Sequence, residues 1–267
     1  MPISTNRHSL SELALKHRTD KEGSHFYARH YERHFAHLRD DAIILLEIGI
    51  GGYGDPRAGG ESLRMWKEFF PNGTIIGLDL HDKSSLREER IEIEQGSQDD
   101  PEFLKRLSAR YGPFDIVIDD GSHLPAHVIA SFEILFDHVK GNGIYAIEDL
   151  QTSYWLGWGG SRKGTGKGTS MGLLLDLANG RNYEEFDVAG YQPSRFDVGI
   201  ESVTFYHNLA FIQKGPNTEG SNMMPSHPRH ARKYNMLSRI KSDLSLRSTR
   251  NDAIGRTLRE IRRKIRG

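Results

Sequence analysis

Short apolar runs alternate with longer amphipathic segments through the middle of the chain. Seven apolar runs have the length and content of buried strands: 43–50, 74–80, 91–96, 114–118, 143–147, 202–206 and 209–214. Helical periodicity separates the first five, with a helix that begins near residue 60 and helices over 101–111 and 125–139. Strands that alternate strictly with helices predict a parallel sheet with right-handed crossovers.

The last two apolar runs are joined by His207 and Asn208 alone, which predicts a tight hairpin. Five parallel strands that end in an antiparallel hairpin are the layout of the class I S-adenosylmethionine-dependent methyltransferases. The predicted fold is therefore α/β, with a Rossmann-like, seven-stranded, mostly parallel sheet. We expect this domain over residues 41–215, a helical cap over 1–40 and a basic helical extension over 216–267.

The N-terminal segment 9–38 is helix-like and crowded with aromatic and histidine residues, among them His25, Tyr27 and Tyr31. Two interpretations stay open. The segment is either a cap that packs on the core or a lid that gives ring contacts to a cofactor or a sugar. Thr19-Asp20-Lys21, just ahead, has the composition of a polar turn with no packing role.

A glycine-rich turn follows the first predicted strand, which carries a buried acid at Glu47. This pattern is typical of the strand–turn–helix that binds nucleotides, because glycines let the backbone approach a ligand. The loop 53–60 is longer than a dinucleotide fold allows. An acid ends the second strand at Asp79, where it is placed to bind two ribose hydroxyls. The candidate cofactor residues are Glu47, Gly49, Gly51, Tyr53, Ser62, Asp79, Gln98 and Asp119.

Paired carboxylates end two further strands, as Asp119-Asp120 and Glu148-Asp149, and His123 follows the first pair. A single acid in such a place is often a helix cap. Two neighbouring pairs repel each other strongly unless a cation lies between them. Carboxylates in a chain without cysteine suit a hard ion, so the sequence predicts a divalent metal beside a general base.

The sequence argues against three other kinds of site: a zinc site, a P-loop and a non-haem iron site. His123 and His127 have zinc spacing, but Pro125 between them breaks a regular helical pair. Gly166-Lys167 is followed by glycine, which a P-loop does not allow. No His-His-carboxylate iron set is evident. The segment 151–170, rich in Gly, Lys and Trp, is predicted as a substrate lid, in which Tyr154, Trp155 and Trp158 stack on a sugar ring.

Composition adds a cellular context. The chain of 267 residues has no cysteine, which excludes disulfides and thiolate chemistry. No signal peptide or membrane-spanning run is evident, so we expect a soluble, cytoplasmic protein. The net charge is zero, yet residues 216–267 carry 13 basic against 4 acidic side chains. Aromatic residues do not interleave with those arginines, so we expect no nucleic-acid partner but a solvated appendage, docked on the acidic body or on a second copy in a homo-oligomer.

These residues together resemble one known family, the metal-dependent sugar O-methyltransferases that act on macrolide antibiotics. The matching segments are Thr19-Asp20-Lys21, His25-Phe26-Tyr27, Tyr31, Glu47 to Tyr53, Gly77-Leu78-Asp79, Asp119 to His123 and Glu148-Asp149-Leu150. The resemblance implies S-adenosylmethionine and Mg²⁺ as cofactors, Asp120, Glu148 and Asp149 as metal ligands, and His123 as the catalytic base. Asp119 would lie between the cofactor and the metal.

Two departures from the family bear on cofactor and substrate. Gln98 is flanked by Ser97 and Asp99, where the family is expected to have an acid followed by a small residue. The second departure is that the macrolide enzymes carry a substantial extra N-terminal domain. A shorter mycobacterial relative methylates the reducing-end hydroxyl of methylated mannose oligosaccharides. We therefore expect methyl transfer to a sugar hydroxyl, with the 1-OH of such an oligosaccharide as the first candidate. The alternatives are an antibiotic sugar, a catechol-like diol and a non-catalytic cofactor-binding module.

Overall fold

The computed structural model describes residues 7–186, 188 and 190–221. Nearly all of them belong to one compact unit, Met1–Gly220. The predicted basic extension lies outside the described residues from position 222 onward. Within the described part of the chain, no helix is long and apolar enough to cross a membrane.

The described residues form α-helices and strands with the following bounds. The helices are α1 (Leu10–His17), α2 (Ala28–Phe35), α3 (Glu61–Phe69), α4 (Pro101–Tyr111), α5 (Pro125–Leu135), α6 (Ser170–Gly180) and α7 (Arg195–Gly199). The strands are β1 (Ile44–Ile48), β2 (Thr74–Asp79), β3 (Ile91–Gln95), β4 (Phe114–Asp119), β5 (Val139–Ile147), β6 (Ile200–Tyr206) and β7 (Leu209–Lys214).

The strands form one seven-stranded sheet in the order β3-β2-β1-β4-β5-β7-β6. The pairs among β1 to β5 are parallel, whereas β7 runs antiparallel to both β5 and β6. The predicted class I methyltransferase fold is therefore confirmed. In the register, Asp119 pairs with Ile48 on one side and Ile147 on the other. The turns after β1, β4 and β5 consequently meet at one edge of the sheet.

Several element boundaries differ from the predicted ones. The N-terminal segment is not one helix, because Arg18 adopts a left-handed conformation that ends α1 and α2 begins only at Ala28. β5 begins four residues before the predicted strand, at Val139, where it pairs with Phe114. The segment 151–170 includes two short 3₁₀ turns, Leu150–Tyr154 and Leu156–Trp158.

The aromatic face of α2 packs into the core. Tyr31 and Phe35 are fully buried, and the Tyr31 ring lies edge-on to Trp66 and Phe211, at centroid distances of 5.1 and 5.2 Å. Such edge-to-face pairs add stability beyond the area they bury. The N-terminal segment is thus part of the core on one face of the sheet.

We predict that Phe35→Ala lowers the free energy of unfolding by about 3–5 kcal/mol, because it leaves a cavity between α2, α3 and β7. Equilibrium urea denaturation measures this. Phe205→Ala is the matched control, since Phe205 is already 38% exposed, and its loss should be clearly smaller. Equal losses would mean that α2 is not part of the core.

Candidate active site

A cleft of about 820 Å³ opens at the carboxyl edge of the sheet. Its volume is within the range of small-molecule sites. The predicted site residues that line it come from the turns after β1, β2, β3, β4 and β5: Gly49, Gly51, Tyr53, Ser62, Asp79, Gln98, Asp120, His123, Asp149 and Trp158. The topology therefore brings most of the predicted cofactor, metal and catalytic residues to one cleft.

The glycine turn fits tightly against the turn after β4. Gly49 has a φ of 80°, and a Cβ there would lie 2.1 Å from the carbonyl oxygen of Asp120. The Asp120 amide in turn donates to the Ile48 carbonyl at 2.9 Å. Only glycine accommodates both the left-handed conformation and this approach. The glycine turn after β1 and the turn that carries Asp120 are thus held together through their backbones.

Asp79 and Gln98 both line the cleft, with their polar atoms partly engaged. Asp79 accepts hydrogen bonds from the His81 amide at 2.8 Å and the Ile50 amide at 3.3 Å. Gln98 accepts from the Ser122 amide at 2.6 Å and donates to Asp119 at 3.0 Å. Both side chains therefore shape the cleft wall. Tyr53, at the cleft's rim, is 91% exposed.

Two predicted cofactor residues lie behind the cleft wall. Glu47 is fully buried and accepts hydrogen bonds from Ser62 Oγ at 2.9 Å and Trp66 Nε1 at 3.0 Å. Asp119 is 1% exposed and accepts from Gln98 and Ser131. Neither residue lines the cleft, and the carboxylates bond to side chains of α3 and α5. Their role toward the cofactor stays a prediction. Burial raises the pKa of both acids, and their hydrogen-bond donors oppose the shift.

The candidate metal ligands form a cluster that contains His123 in place of Glu148, one of the three predicted ligands. Donor atoms of Asp120, His123 and Asp149 all lie within 4.8 Å of one another. His123 Nε2 is 3.5 Å from Asp149 Oδ2. Glu148 is not in this cluster. Its Oε1 accepts from Lys21 Nζ and Tyr31 Oη, each at 2.6 Å.

Lys21 is the site residue that the sequence analysis missed. Its side chain is fully buried, and its Nζ lies 2.8 Å from Asp120 Oδ2, 2.6 Å from Glu148 Oε1 and 3.2 Å from Glu47 Oε1. The expectation of a polar turn without a packing role was wrong. The only signal in the sequence was the match of Thr19-Asp20-Lys21 to the family segment, which carries no role by itself.

The charges in this cluster stabilise one another. Burial alone would lower the pKa of Lys21, yet the surrounding carboxylates Asp120, Glu148 and Glu47 raise it well above its usual value, so the ammonium stays charged. Burial and the charge of Asp120 raise the pKa of Glu148 well above its usual value, although Lys21 opposes the shift. One lysine therefore does not fully compensate three carboxylates, and the site favours a further positive charge.

Two members of the cluster, and Phe26 of the N-terminal segment, have a left-handed backbone conformation. Phe26, His123 and Asp149 have φ values of 57°, 56° and 53°, although none is glycine. Each such residue costs about 1–3 kcal/mol unless its surroundings hold it, and such residues cluster at functional sites. The conformation turns His123 and Asp149 toward each other after their separate strands.

The residues present fit a divalent cation. The side-chain atom Oε2 of Glu148 is buried and has no hydrogen-bond partner among the described residues. Asp120, Asp149 and His123 bring further donors to the same place. Carboxylate oxygens are the preferred ligands of Mg²⁺. Asp120 and Asp149, with Glu148 or His123, could therefore hold such an ion at the lip of the cleft.

The three aromatic residues of the predicted lid lie in different surroundings. Trp158 lines the large cleft, with its ring centroid 6.4 Å from that of His123. Tyr154 instead lines a second, largely apolar cavity of about 440 Å³ with Leu150, Met171 and Phe205 among others. Trp155 is 49% exposed and lines neither of these two cavities. Trp158 is thus the predicted stacking residue that reaches the candidate base.

Several curated enzymes are similar in sequence to this chain. No protein-family model matches the chain. Two curated relatives are each 50% identical to this chain over 214 residues, which are 79% of this chain and 54% of each relative. They are demethylmacrocin O-methyltransferase of Streptomyces fradiae and mycinamicin VI 2''-O-methyltransferase of Micromonospora griseorubida. Over this region the chain belongs to the macrolide-sugar O-methyltransferase family. It spans about half the length of these curated relatives.

A solved structure agrees with this assignment. The MycE methyltransferase from the mycinamycin pathway, in complex with Mg and SAH, is 46% identical with a TM-score of 0.79, and the match covers 88% of this chain and 59% of MycE. A tetracenomycin-C rhamnosyl 2'-O-methyltransferase of Streptomyces olivaceus is 45% identical over 210 residues, 78% of this chain and 55% of that enzyme. All of these relatives are named for steps of antibiotic biosynthesis, and none of these names mentions a mannose oligosaccharide.

We predict that Gly49→Ala lowers the free energy of unfolding by more than about 2 kcal/mol, because the new methyl group would collide with the Asp120 carbonyl. Gly54→Ala is the matched control in the same loop, since nothing lies within 4 Å of a Cβ there. Urea denaturation of both variants tests this. A Gly49→Ala protein as stable as the control would contradict the close approach of the two turns.

Proposed function

We propose that the protein transfers a methyl group from S-adenosylmethionine to a sugar hydroxyl, with the help of a divalent metal ion such as Mg²⁺. One observation carries the proposal: His123 and the acids Asp120 and Asp149 meet at the lip of a cofactor-sized cleft. The family membership supports the same chemistry. When bound, the cofactor supplies an activated methyl group, and the metal ion supplies a positive charge beside the acceptor hydroxyl.

The protein's own residues divide the remaining work. Gly49, Gly51, Asp79 and the wall around Gln98 bind the cofactor. His123 accepts the proton of the acceptor hydroxyl as that oxygen bonds to the methyl carbon. S-adenosylmethionine, when bound, would supply the methyl group to that oxygen and would leave as its neutral thioether, which keeps the electron pair of the broken carbon–sulfur bond. Asp149 Oδ2, 3.5 Å from His123 Nε2, is placed to orient the imidazole ring.

For the acceptor, we propose a sugar carried on an antibiotic scaffold. The named relatives act on mycinamicin VI, demethylmacrocin and a rhamnosyl tetracenomycin. Trp158, beside His123, offers a ring on which a sugar can stack. No feature of the described residues favours the mannose oligosaccharide, a catechol-like diol or a non-catalytic module over this acceptor.

The decisive experiment is transfer of a labelled methyl group from S-adenosylmethionine to a panel of acceptors, with and without EDTA. The panel contains macrolide and rhamnosyl glycosides, methylated mannose oligosaccharides and a catechol. We expect transfer to an antibiotic glycoside, lost with EDTA and restored by added Mg²⁺. Activity that survives thorough chelation would remove the metal from the proposal, and transfer to the catechol alone would replace the sugar acceptor.

Removing the base tests the catalytic assignment. We predict that His123→Ala lowers kcat by about 10²–10⁴-fold, the usual contribution of a positioned base, while the cofactor's Kd changes little. His138→Ala is the control, because His138 lies away from the cleft, in the turn Phe136–His138. Rapid-quench kinetics and calorimetry measure the two quantities. Full activity in His123→Ala would exclude this residue as the base.

A further inference from the structure

Side chains of the N-terminal segment donate hydrogen bonds to the acids Asp120, Glu148 and Asp149, and one oxygen of each acid is bonded in this way. Lys21 Nζ donates to Asp120 Oδ2 at 2.8 Å and to Glu148 Oε1 at 2.6 Å. Tyr31 Oη donates to the same Glu148 oxygen at 2.6 Å. One side of each of these two carboxylates is therefore already bonded.

The third acid is held in the same way. Tyr27 Oη donates to Asp149 Oδ1 at 3.0 Å, and His25 Nδ1 lies 3.5 Å from that oxygen. The other oxygen, Oδ2, faces His123 and the cleft. Lys21, Tyr27 and Tyr31 thus bond to one oxygen of each acid and leave the other oxygen without a donor from the N-terminal segment. For Glu148 that oxygen is the buried Oε2, which lacks a partner among the described residues.

The number of free oxygens matters because cations differ in coordination. Mg²⁺ requires a near-ideal octahedron and takes one oxygen from each carboxylate, whereas Ca²⁺ takes six to eight oxygens and commonly binds both oxygens of a carboxylate. A buried donor on the second oxygen takes one of its lone pairs and fixes the orientation of the carboxylate, which disfavours binding of a cation through both oxygens. Lys21 and Tyr31 are fully buried, so water cannot replace them as partners of the acids.

We propose that Lys21, Tyr27 and Tyr31 form a donor clamp that restricts Asp120, Glu148 and Asp149 to one oxygen each and so selects a small octahedral cation over Ca²⁺. The inference rests on the metal role in the proposed function. It adds that cation selectivity comes from positioning residues of the N-terminal segment, which need not contact the ion.

Lys21 has the largest share in the clamp. Its single nitrogen occupies an oxygen on two acids at once, and its charge offsets part of their negative charge. Replacing it frees both oxygens and increases the negative charge available to a cation. Each tyrosine bonds to one oxygen and carries no charge. Its replacement should therefore shift the cation preference in the same direction as replacement of Lys21, by a smaller factor.

The test is the affinity of the whole protein for Mg²⁺ and for Ca²⁺ by titration calorimetry, in wild type, Lys21→Met, Tyr27→Phe and Tyr31→Phe. We expect Mg²⁺ preference in wild type. The Ca²⁺-over-Mg²⁺ affinity ratio should rise about tenfold or more in Lys21→Met and about threefold in each tyrosine variant. A merely structural role would weaken both cations equally and leave the ratio unchanged.

Two control variants match the chemistry removed. Lys83→Met removes another fully buried lysine, which donates to the carbonyls of Asp55 and Ala58. Tyr145→Phe removes a buried hydroxyl that bonds to Asp119. Neither contacts an acid of the clamp, so both should keep the wild-type ratio. If Lys21→Met does not fold, the two tyrosine variants decide the question by themselves.

Two results would overturn the clamp alone. One is a ratio unchanged in every clamp variant that binds both ions, and the other is a wild type that prefers Ca²⁺. A wild type that binds neither ion would overturn the metal role and the clamp with it. Because these results differ, failure of the inference is distinguishable from failure of the proposed function.

Discussion

The structure of the site depends on one buried ammonium group. Lys21 Nζ lies among carboxylates from β1, from the turn after β4 and from the end of β5. Three acids so close together would repel one another, and an isolated buried charge would be costly. Lys21 offsets part of this repulsion, and so stabilises the acids that the sheet register brings to one edge. Breaking such a buried ion pair typically costs about 3–5 kcal/mol.

The sequence predicted the fold well because the sheet leaves a strong local signal. Buried parallel strands read as continuous apolar runs, and the two-residue link at His207 and Asn208 specifies its hairpin directly. The edge at which Asp120, His123 and Asp149 meet follows from topology alone. Residue identity together with strand order was therefore enough to place most of the candidate site.

The sequence could not decide which acid of each group faces the cleft. Side chains alternate along a strand, so Asp119 points to α5 and bonds to Ser131, while the next residue, Asp120, reaches the cleft. Glu47 is likewise turned toward Trp66 of α3. Lys21 was missed for a different reason. Its partners lie up to 127 positions away in the chain, and a lysine in a polar turn gives no local sign of burial.

The backbone of Lys21 has a second role, since its carbonyl oxygen accepts hydrogen bonds from the Tyr27 and Ala28 amides at the start of α2. The same residue thus organises a helix and the charges of a distant acid group. Evolution or protein design can therefore not vary these two parts of the chain independently. An N-terminal segment exchanged between relatives would have to bring its own matching acids, and the two would be inherited as a single unit.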